Sequence, residues 1–281
     1  PCSPRLLTHL NRLHNEAPLE DWLKTDPIKF PKRYKDPRAI ETVAIYASLL
    51  AYGRVNLIER ALEQVTDRMG KDLVTNLLND TPEQAKQRFS GFVYRLTRGV
   101  DLARLWIGLG ELFRAYDTVG DALMHWNDQE SPDLRSILSR FRQEICSATP
   151  GFESRKGFKH FLPDPLGGSA IKRYCMLMRW MVRGPDKIDF GSWRALGTHR
   201  LVLPLDTHVH RISRNLGLST RTSADWKTAM EITQNLKQLD PIDPTRFDFA
   251  IAHLGISGSC PTRRVESICS GCPINKVCTL S

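Results

Sequence analysis

Two side chains at the starts of different helical patterns carry the chemistry this sequence suggests. Lys172 follows a Pro- and Gly-bearing turn, Leu162-Pro163-Asp164-Pro165-Leu166-Gly167-Gly168-Ser169. Asp206 stands in Pro204-Leu205-Asp206-Thr207-His208-Val209-His210-Arg211, just before an apolar period of Val209, Ile212 and Leu216 that Gly217 closes. An amine and a carboxylate are the groups that N-glycosidic bond cleavage asks for: one attacks the sugar carbon, the other stabilises the positive charge that builds on the sugar. The turn before Lys172 adds an anchor. Backbone N–H groups at a helix start lack partners and sit at the positive end of the helix dipole, so they can hold a phosphate oxygen. Gly167, Gly168 and Ser169 are so placed, with Arg173 next to Lys172.

Each of these residues also has a plainer structural reading. Asp206 occupies an N-cap position, where most aspartates are caps and nothing more. Gly167-Gly168 suits an ordinary turn, and a lysine judged by type alone is a solvated surface residue. Cap and catalyst are compatible roles, because a capping side chain has a fixed orientation. His208 is read as a partner of the polar site. Arg211, about one turn after Asp206, is either a structural partner or a phosphate contact. The other arginines of the region, Arg179 and Arg183 included, are read as a solvated basic face.

The second chemical signal lies at the end of the chain. Of seven cysteines, Cys260, Cys269, Cys272 and Cys278 fall within the last two dozen residues. In a reducing compartment such a cluster reads as a metal site before it reads as disulfides. Four thiolates suit an iron–sulfur cluster or a tetrahedral zinc, and spacing alone does not separate the two. The scattered Cys2, Cys146 and Cys175 are read as small buried apolar side chains.

Helices must position these groups. Apolar residues recur at helical spacing at Leu6, Leu7, Leu10 and Leu13, and after Asp36-Pro37 at Ile40, Val43, Ala47 and Leu50. They recur again from Val55 to Met69, from Leu102 to Phe113 and from Leu134 to Ile145. Trp106, Phe113 and Trp126 read as core rather than as base-stacking platforms. Ile171, Tyr174, Cys175, Met178 and Met181 form the inward face of the Lys172 helix, which ends at Gly184-Pro185. Leu201 to Leu205 reads as a buried extended approach to Asp206. Ser223 and Asp243-Pro244 are read as the starts of two further helices. No stretch alternates like a strand, so the expected fold class is all-α.

A chain of 281 residues with net charge +9 has room for one large unit or two lobes. The charge suits a polyanionic partner, although it also serves solubility. No apolar run approaches the ~20 residues needed to span a bilayer, and Pro1-Cys2-Ser3-Pro4-Arg5 is followed by no signal-peptide core. The expected location is the cytosol or nucleoid, without a membrane partner.

The hairpin from Leu162 through Gly168 to Lys172, together with Pro204-Leu205-Asp206-Thr207-His208-Val209-His210-Arg211, resembles the helix-hairpin-helix DNA glycosylase superfamily, including endonuclease III. The tail Cys260-x8-Cys269-x2-Cys272-x5-Cys278 resembles the iron–sulfur loop that ends many of its members. The resemblance covers roughly the last 120 residues. This chain inserts Asp164-Pro165-Leu166 where the endonuclease III hairpin reads Leu-Pro-Gly-x-Gly, and its first cysteine gap is longer. Its Lys172 to Asp206 interval is closer to that of the archaeal 8-oxoguanine glycosylases.

The resemblance implies an all-α, two-lobed helix-hairpin-helix fold with a C-terminal four-cysteine loop spanning 259–279. One lobe would be 37–184, the other 1–36 with 185–281, and DNA would lie between them. It implies a DNA glycosylase acting on a flipped base, with oxidised purine the closest match. AP-lyase activity would run through a Lys172 Schiff base assisted by Asp206. Phosphate contacts would come from Gly167, Gly168, Ser169, Arg173, His208 and Arg211. A 4Fe-4S cluster rather than zinc would sit on the four cysteines, and the partner would be double-stranded DNA bound by a monomer. Two alternatives remain: a monofunctional glycosylase in which Asp206 activates water, and a non-catalytic DNA-binding protein with a metal-stabilised tail.

Overall fold

The computed structural model describes residues 3–130, 134–152 and 155–280; Cys2 lies outside them. The fold is all-α in class. Its helices are α1 (Pro4–Asn15), α2 (Leu19–Leu23), α3 (Pro37–Leu50), α4 (Val55–Met69), α5 (Leu73–Asn79), α6 (Pro82–Arg88), α7 (Gly99–Ala115) and α8 (Val119–Glu130). They continue with α9 (Leu134–Ser147), α10 (Lys156–Phe161), α11 (Lys172–Val182), α12 (Thr207–Asn215), α13 (Trp226–Leu239), α14 (Asp248–Ile256) and α15 (Glu266–Cys269). The exception to helix is a small antiparallel hairpin, β1 (Val93–Tyr94) with β2 (Thr97–Arg98). Strands this short leave no alternation to read. No helix among the described residues is long and apolar enough to cross a membrane.

The chain divides into two compact units. The middle unit comprises Leu23–Gly167 and Trp180–Leu196. Its central helix is α3, where Asp36 accepts from the Ala39 amide and Pro37 opens the first turn. From Val43 to Leu50 the helix is buried on every side, which explains why its sequence lacks a polar stripe. Helices α5, α6 and α9 pack against α7, and Gly108 lets α9 approach closely, since a Cβ there would lie 2.8 Å from Ile145. Trp106 and Trp126 are fully buried and Phe113 nearly so, as expected of core residues.

The terminal unit comprises Pro1–Trp22, Gly168–Arg179 and Gly197–Ser281. Helices α12 and α14 pack together, α1 lies along α14, and α1 also meets the tail near Asn275–Val277. The division differs from boundaries at 36/37 and 184/185, because most of α11 belongs with α12 to α14. Two attachments explain it. The Trp226 amide donates to Gly168 O, and Ser169 bridges Asp225 at the start of α13. Farther along α11, Arg179 pairs with Asp248 of α14 at 2.8 Å, with both side chains at most 5% exposed.

That pair corrects the reading of Arg179 as part of a solvated face. A lone buried charge is unstable, and Asp248 supplies its partner from a distant segment of chain. Arg183 is half-buried and pairs with Asp186 and Asp189. Two helix starts also shift. Helix α13 is capped by Asp225, not begun at Ser223, and Asp243-Pro244 forms a turn before α14 opens at Asp248. Of the isolated cysteines, Cys175 is buried and Cys146 only half so.

Candidate functional site

The turn before Lys172 is built in two parts. Within the middle unit, Asp164 closes it by accepting from the Leu166 amide at its side chain and from Gly167 N at its carbonyl. Arg135 donates to Pro165 O at 2.6 Å and to Gly167 O at 2.7 Å, and Arg142 donates to Leu162 O at 3.2 Å. The Asp-Pro-Leu insertion is therefore a cross-braced turn. Within the terminal unit, Gly168 and Ser169 are exposed, with open space where a Gly168 side chain would stand. Gly167 N–H is already bonded inside the turn, so an approaching phosphate finds Gly168 and Ser169 first.

Ile171, directly before Lys172, has φ +41° and a buried side chain. A β-branched residue in the left-handed region costs about 1–3 kcal/mol, and such strain persists only where surrounding structure enforces it. Here the buried isoleucine side chain and the first turn of α11, where Tyr174 and Cys175 amides both donate to Ile171 O, do so. Lys172 and Arg173 follow, each partly exposed.

Asp206 is reached by the expected buried extended segment Leu201–Leu205, held where the Leu203 amide donates to Thr233 Oγ1 at 3.0 Å. Asp206 caps α12, its Oδ1 accepting from the Val209 amide at 2.8 Å. Its other oxygen, Oδ2, has no partner among the described residues. One carboxylate oxygen thus fixes the side chain while the other stays open at the helix start. His208, half-buried, lies against Gly255 of α14, where an added Cβ would come 2.6 Å from His208 Cβ. Lys172 and Asp206 both belong to the terminal unit and both open helices in it.

Arg211 faces the cysteines. It donates to Pro261 O at 2.7 Å, Cys260 O at 2.8 Å and Cys260 Sγ at 3.3 Å. Of its two readings, the structural one accounts for these bonds: they tie the Asp206 helix to the tail. Cys260, Cys269, Cys272 and Cys278 line one pocket and form no disulfide. Burial pushes the Cys272 thiol up, and the charges of the other three cysteines push the same way against a hydrogen bond from the Ile274 amide. Burial likewise raises Cys278, opposed by the Leu280 amide and by Arg264. No three His, Cys, Asp or Glu side chains among the described residues are grouped to hold a single metal ion. The tail is held in place by Arg5 donating to Lys276 O, His9 bonding to Pro273 O, and Thr279 donating to Asn215 O.

Sequence reasoning missed three groups. Arg179 and Asp248 fix α11 to α14, and the only signal was a charged residue flanked by Met178, Trp180 and Met181. Gly255 makes room for His208. In the middle unit, Glu41 is 2% exposed and accepts from the Val119 and Gly120 amides and from Trp193 Nε1. Its signal was a carboxylate inside the otherwise apolar run of α3.

The chain belongs to a family described as protein of unknown function (DUF2400), whose model matches residues 26–257. The match takes in the turn, Lys172 and Asp206 and stops short of Cys260. No curated protein and no solved structure matches the chain.

Proposed function

We propose that this DUF2400 member is a DNA glycosylase with an associated lyase activity, acting on a base flipped out of duplex DNA. The observation that supports it is the arrangement of α11 and α12 in one unit: an amine behind a strained residue and an exposed turn, and a capped carboxylate with one open oxygen. A two-lobed helix-hairpin-helix architecture belongs to the same reading.

In this mechanism Gly168 and Ser169 hold a backbone phosphate, and extrusion of the base costs about a few kcal/mol, offset by such contacts. Lys172 Nζ attacks C1′ as the C1′–N bond breaks, and one Nζ proton leaves with the base. Asp206 Oδ2 stabilises the positive charge on the sugar. The C1′–O4′ bond then breaks as the remaining Nζ proton passes to O4′, giving a Schiff base; removal of a C2′ proton breaks the C3′–O bond and expels the 3′ phosphate. Oxidised purine is the proposed lesion class. A monofunctional route, in which Asp206 directs water to C1′ and Lys172 only binds, is the second reading.

We propose a 4Fe-4S cluster as the resident group of the four cysteines. The donor set is all sulfur, the four side chains line one pocket, and Arg211 donates to Cys260 Sγ at 3.3 Å, a bond that favours a thiolate there. When bound, the cluster would order the tail. Brown protein with about four irons per chain supports the assignment, and stoichiometric zinc in a colourless protein replaces it.

The deciding experiment is borohydride trapping on a panel of duplexes that each carry one damaged base. Wild type should form a covalent complex with at least one duplex, and Lys172→Gln should form none. Base release without trapping selects the monofunctional route. If no duplex is cleaved or trapped, the enzymatic reading fails.

A further inference from the structure

The far end of α12 from Asp206 carries a second polar recess. His210, Arg211, Arg214, Asn215, Thr220 and Thr279 are among the residues lining a pocket of about 400 Å³, and no carboxylate lines it. Nearly every group it presents is a donor. Arg211 lines the recess but is committed to the tail, donating to Pro261 O, Cys260 O and Cys260 Sγ. Arg214 is exposed and has no partner among the described residues. Asn215 Nδ2 is shielded from water and has no acceptor among the described residues. His210 Nε2 is committed to Arg221 O at 3.0 Å, which leaves Nδ1 for another group.

Each of the two nearby carboxylates has a hydrogen-bond partner, and that of Asp225 is a cation. Glu231 accepts from Ser219 Oγ at 3.0 Å, and Asp225 pairs with Arg221 at 2.9 Å. A helix C-terminus normally repels an anion, through about half a unit of negative charge on its free carbonyls. Here those carbonyls are occupied. Ser213 O accepts from Leu218 N, Arg214 O from Gly217 N, and Asn215 O from both the amide and the hydroxyl of Thr279. The Arg214 guanidinium, unpartnered among the described residues, therefore faces a helix end whose carbonyls are already used, and with Asn215 Nδ2 it suits an acceptor-rich, negatively charged ligand.

We propose that this recess, at the C-terminal end of α12, binds one phosphate group. It rests on the DNA-acting reading only for its expected source, a backbone phosphodiester; a free phosphate or nucleotide offers the same chemistry. Arg214 supplies the free charge, while Thr220 and Asn215 supply neutral donors. None of them belongs to the Lys172 and Asp206 chemistry.

The test compares wild type with Arg214→Gln and Thr220→Val, both at exposed positions. Duplex affinity is measured across a salt series, and thermal midpoints are measured with inorganic phosphate against chloride at matched ionic strength. With DNA as the source, Arg214→Gln should weaken binding about three- to tenfold and lower the salt slope by about one. Thr220→Val should weaken binding about twofold and leave the slope unchanged. Phosphate raising the wild-type midpoint alone, with DNA affinity equal in all three proteins, assigns the recess to a free phosphate compound. A reduced slope for Arg214→Gln with neither a Thr220→Val effect nor phosphate protection is a general charge effect and overturns the proposal, as does no difference at all. Borohydride trapping at saturating protein should be the same in all three, so failure here is separable from failure of the glycosylase reading.

Discussion

Asp206 and Glu41 are both carboxylates that accept amide hydrogens at the first turn of a helix, one in each unit of the protein. Glu41 is enclosed: two amides of α8 and the Trp193 indole occupy both its oxygens, and water does not reach it. Asp206 gives one oxygen to α12 and keeps the other open at a partly exposed position. Every acceptor of a saturated carboxylate is already used, so it can only hold structure. A half-used carboxylate has its orientation fixed by the bond it makes and its chemistry left to the bond it does not make. Both are carboxylates bonded to first-turn amides, Asp206 to those of its own helix and Glu41 to those of α8; the free oxygen is what distinguishes a candidate catalyst from a structural cap.

The largest effect that would break this comparison is at Asp206. Asparagine caps a helix about as well as aspartate, so Asp206→Asn should keep the thermal midpoint. It should also lower single-turnover base release on the cleaved duplex by roughly 10²–10³, the usual loss when one preorganised electrostatic group is removed. Unchanged base release would place Asp206 in the same class as Glu41, a cap only.

Glu41 sharpens the other side. Burial pushes its pKa up to about 7 from 4.5, against the Trp193, Val119 and Gly120 hydrogen bonds that pull it down. Between those values the folded protein keeps a proton that the unfolded chain has released. The contribution of Glu41 to stability is therefore fully present below about pH 4.5 and is lost as pH rises to about 7, by ~3 kcal/mol in all. Urea titrations across that range should show the decline in wild type and its absence in Glu41→Gln, whose base release at saturating protein should match wild type. A flat wild-type profile would mean that Glu41 is better solvated than its enclosure implies.

How much of this contrast was legible in the sequence depends on the range of the signal. Asp206 was legible because a cap is announced within four residues, by the aspartate and the apolar period behind it. The four cysteines were legible from their density. Glu41 was not, because its donors lie 78, 79 and 152 residues away along the chain. Arg179 failed for the same reason: its side chain reads as solvated until α14 brings Asp248 against it. Asp243-Pro244 and Ser223 carry real capping chemistry, but the structure uses them in turns ahead of helices that start later. Apolar period and local capping are visible in one dimension, whereas the partner of a buried charge is not.

A smaller effect concerns the neighbour of Asp206. Gly255→Ala places a methyl 2.6 Å from His208 Cβ, backbone-proximal matter that cannot rotate away. Overpacking of this kind costs about 1–3 kcal/mol. The variant should lose that much stability in denaturant titration and should slow base release, because α12 must shift to relieve the clash. A stability loss with base release unchanged would show that the position of His208 does not matter to the site.

The smallest effect separates the two duties of Asp206 itself. Asp206→Ala removes both the charge and the bond to Val209, whereas Asp206→Asn removes only the charge. Base release should be equally low in the two variants, since the open oxygen is lost as a charge in both. Stability should differ: the alanine variant should fall about 1 kcal/mol below the asparagine variant, the ordinary cost of an empty N-cap, read as a shift in the urea midpoint at constant slope. Equal stability would mean that Oδ1 does not hold α12, and the fixed orientation of Oδ2 would lose its cause. At Glu41 the corresponding pair of variants cannot be separated this way, because there a single change removes acceptors from three donors at once and leaves them buried.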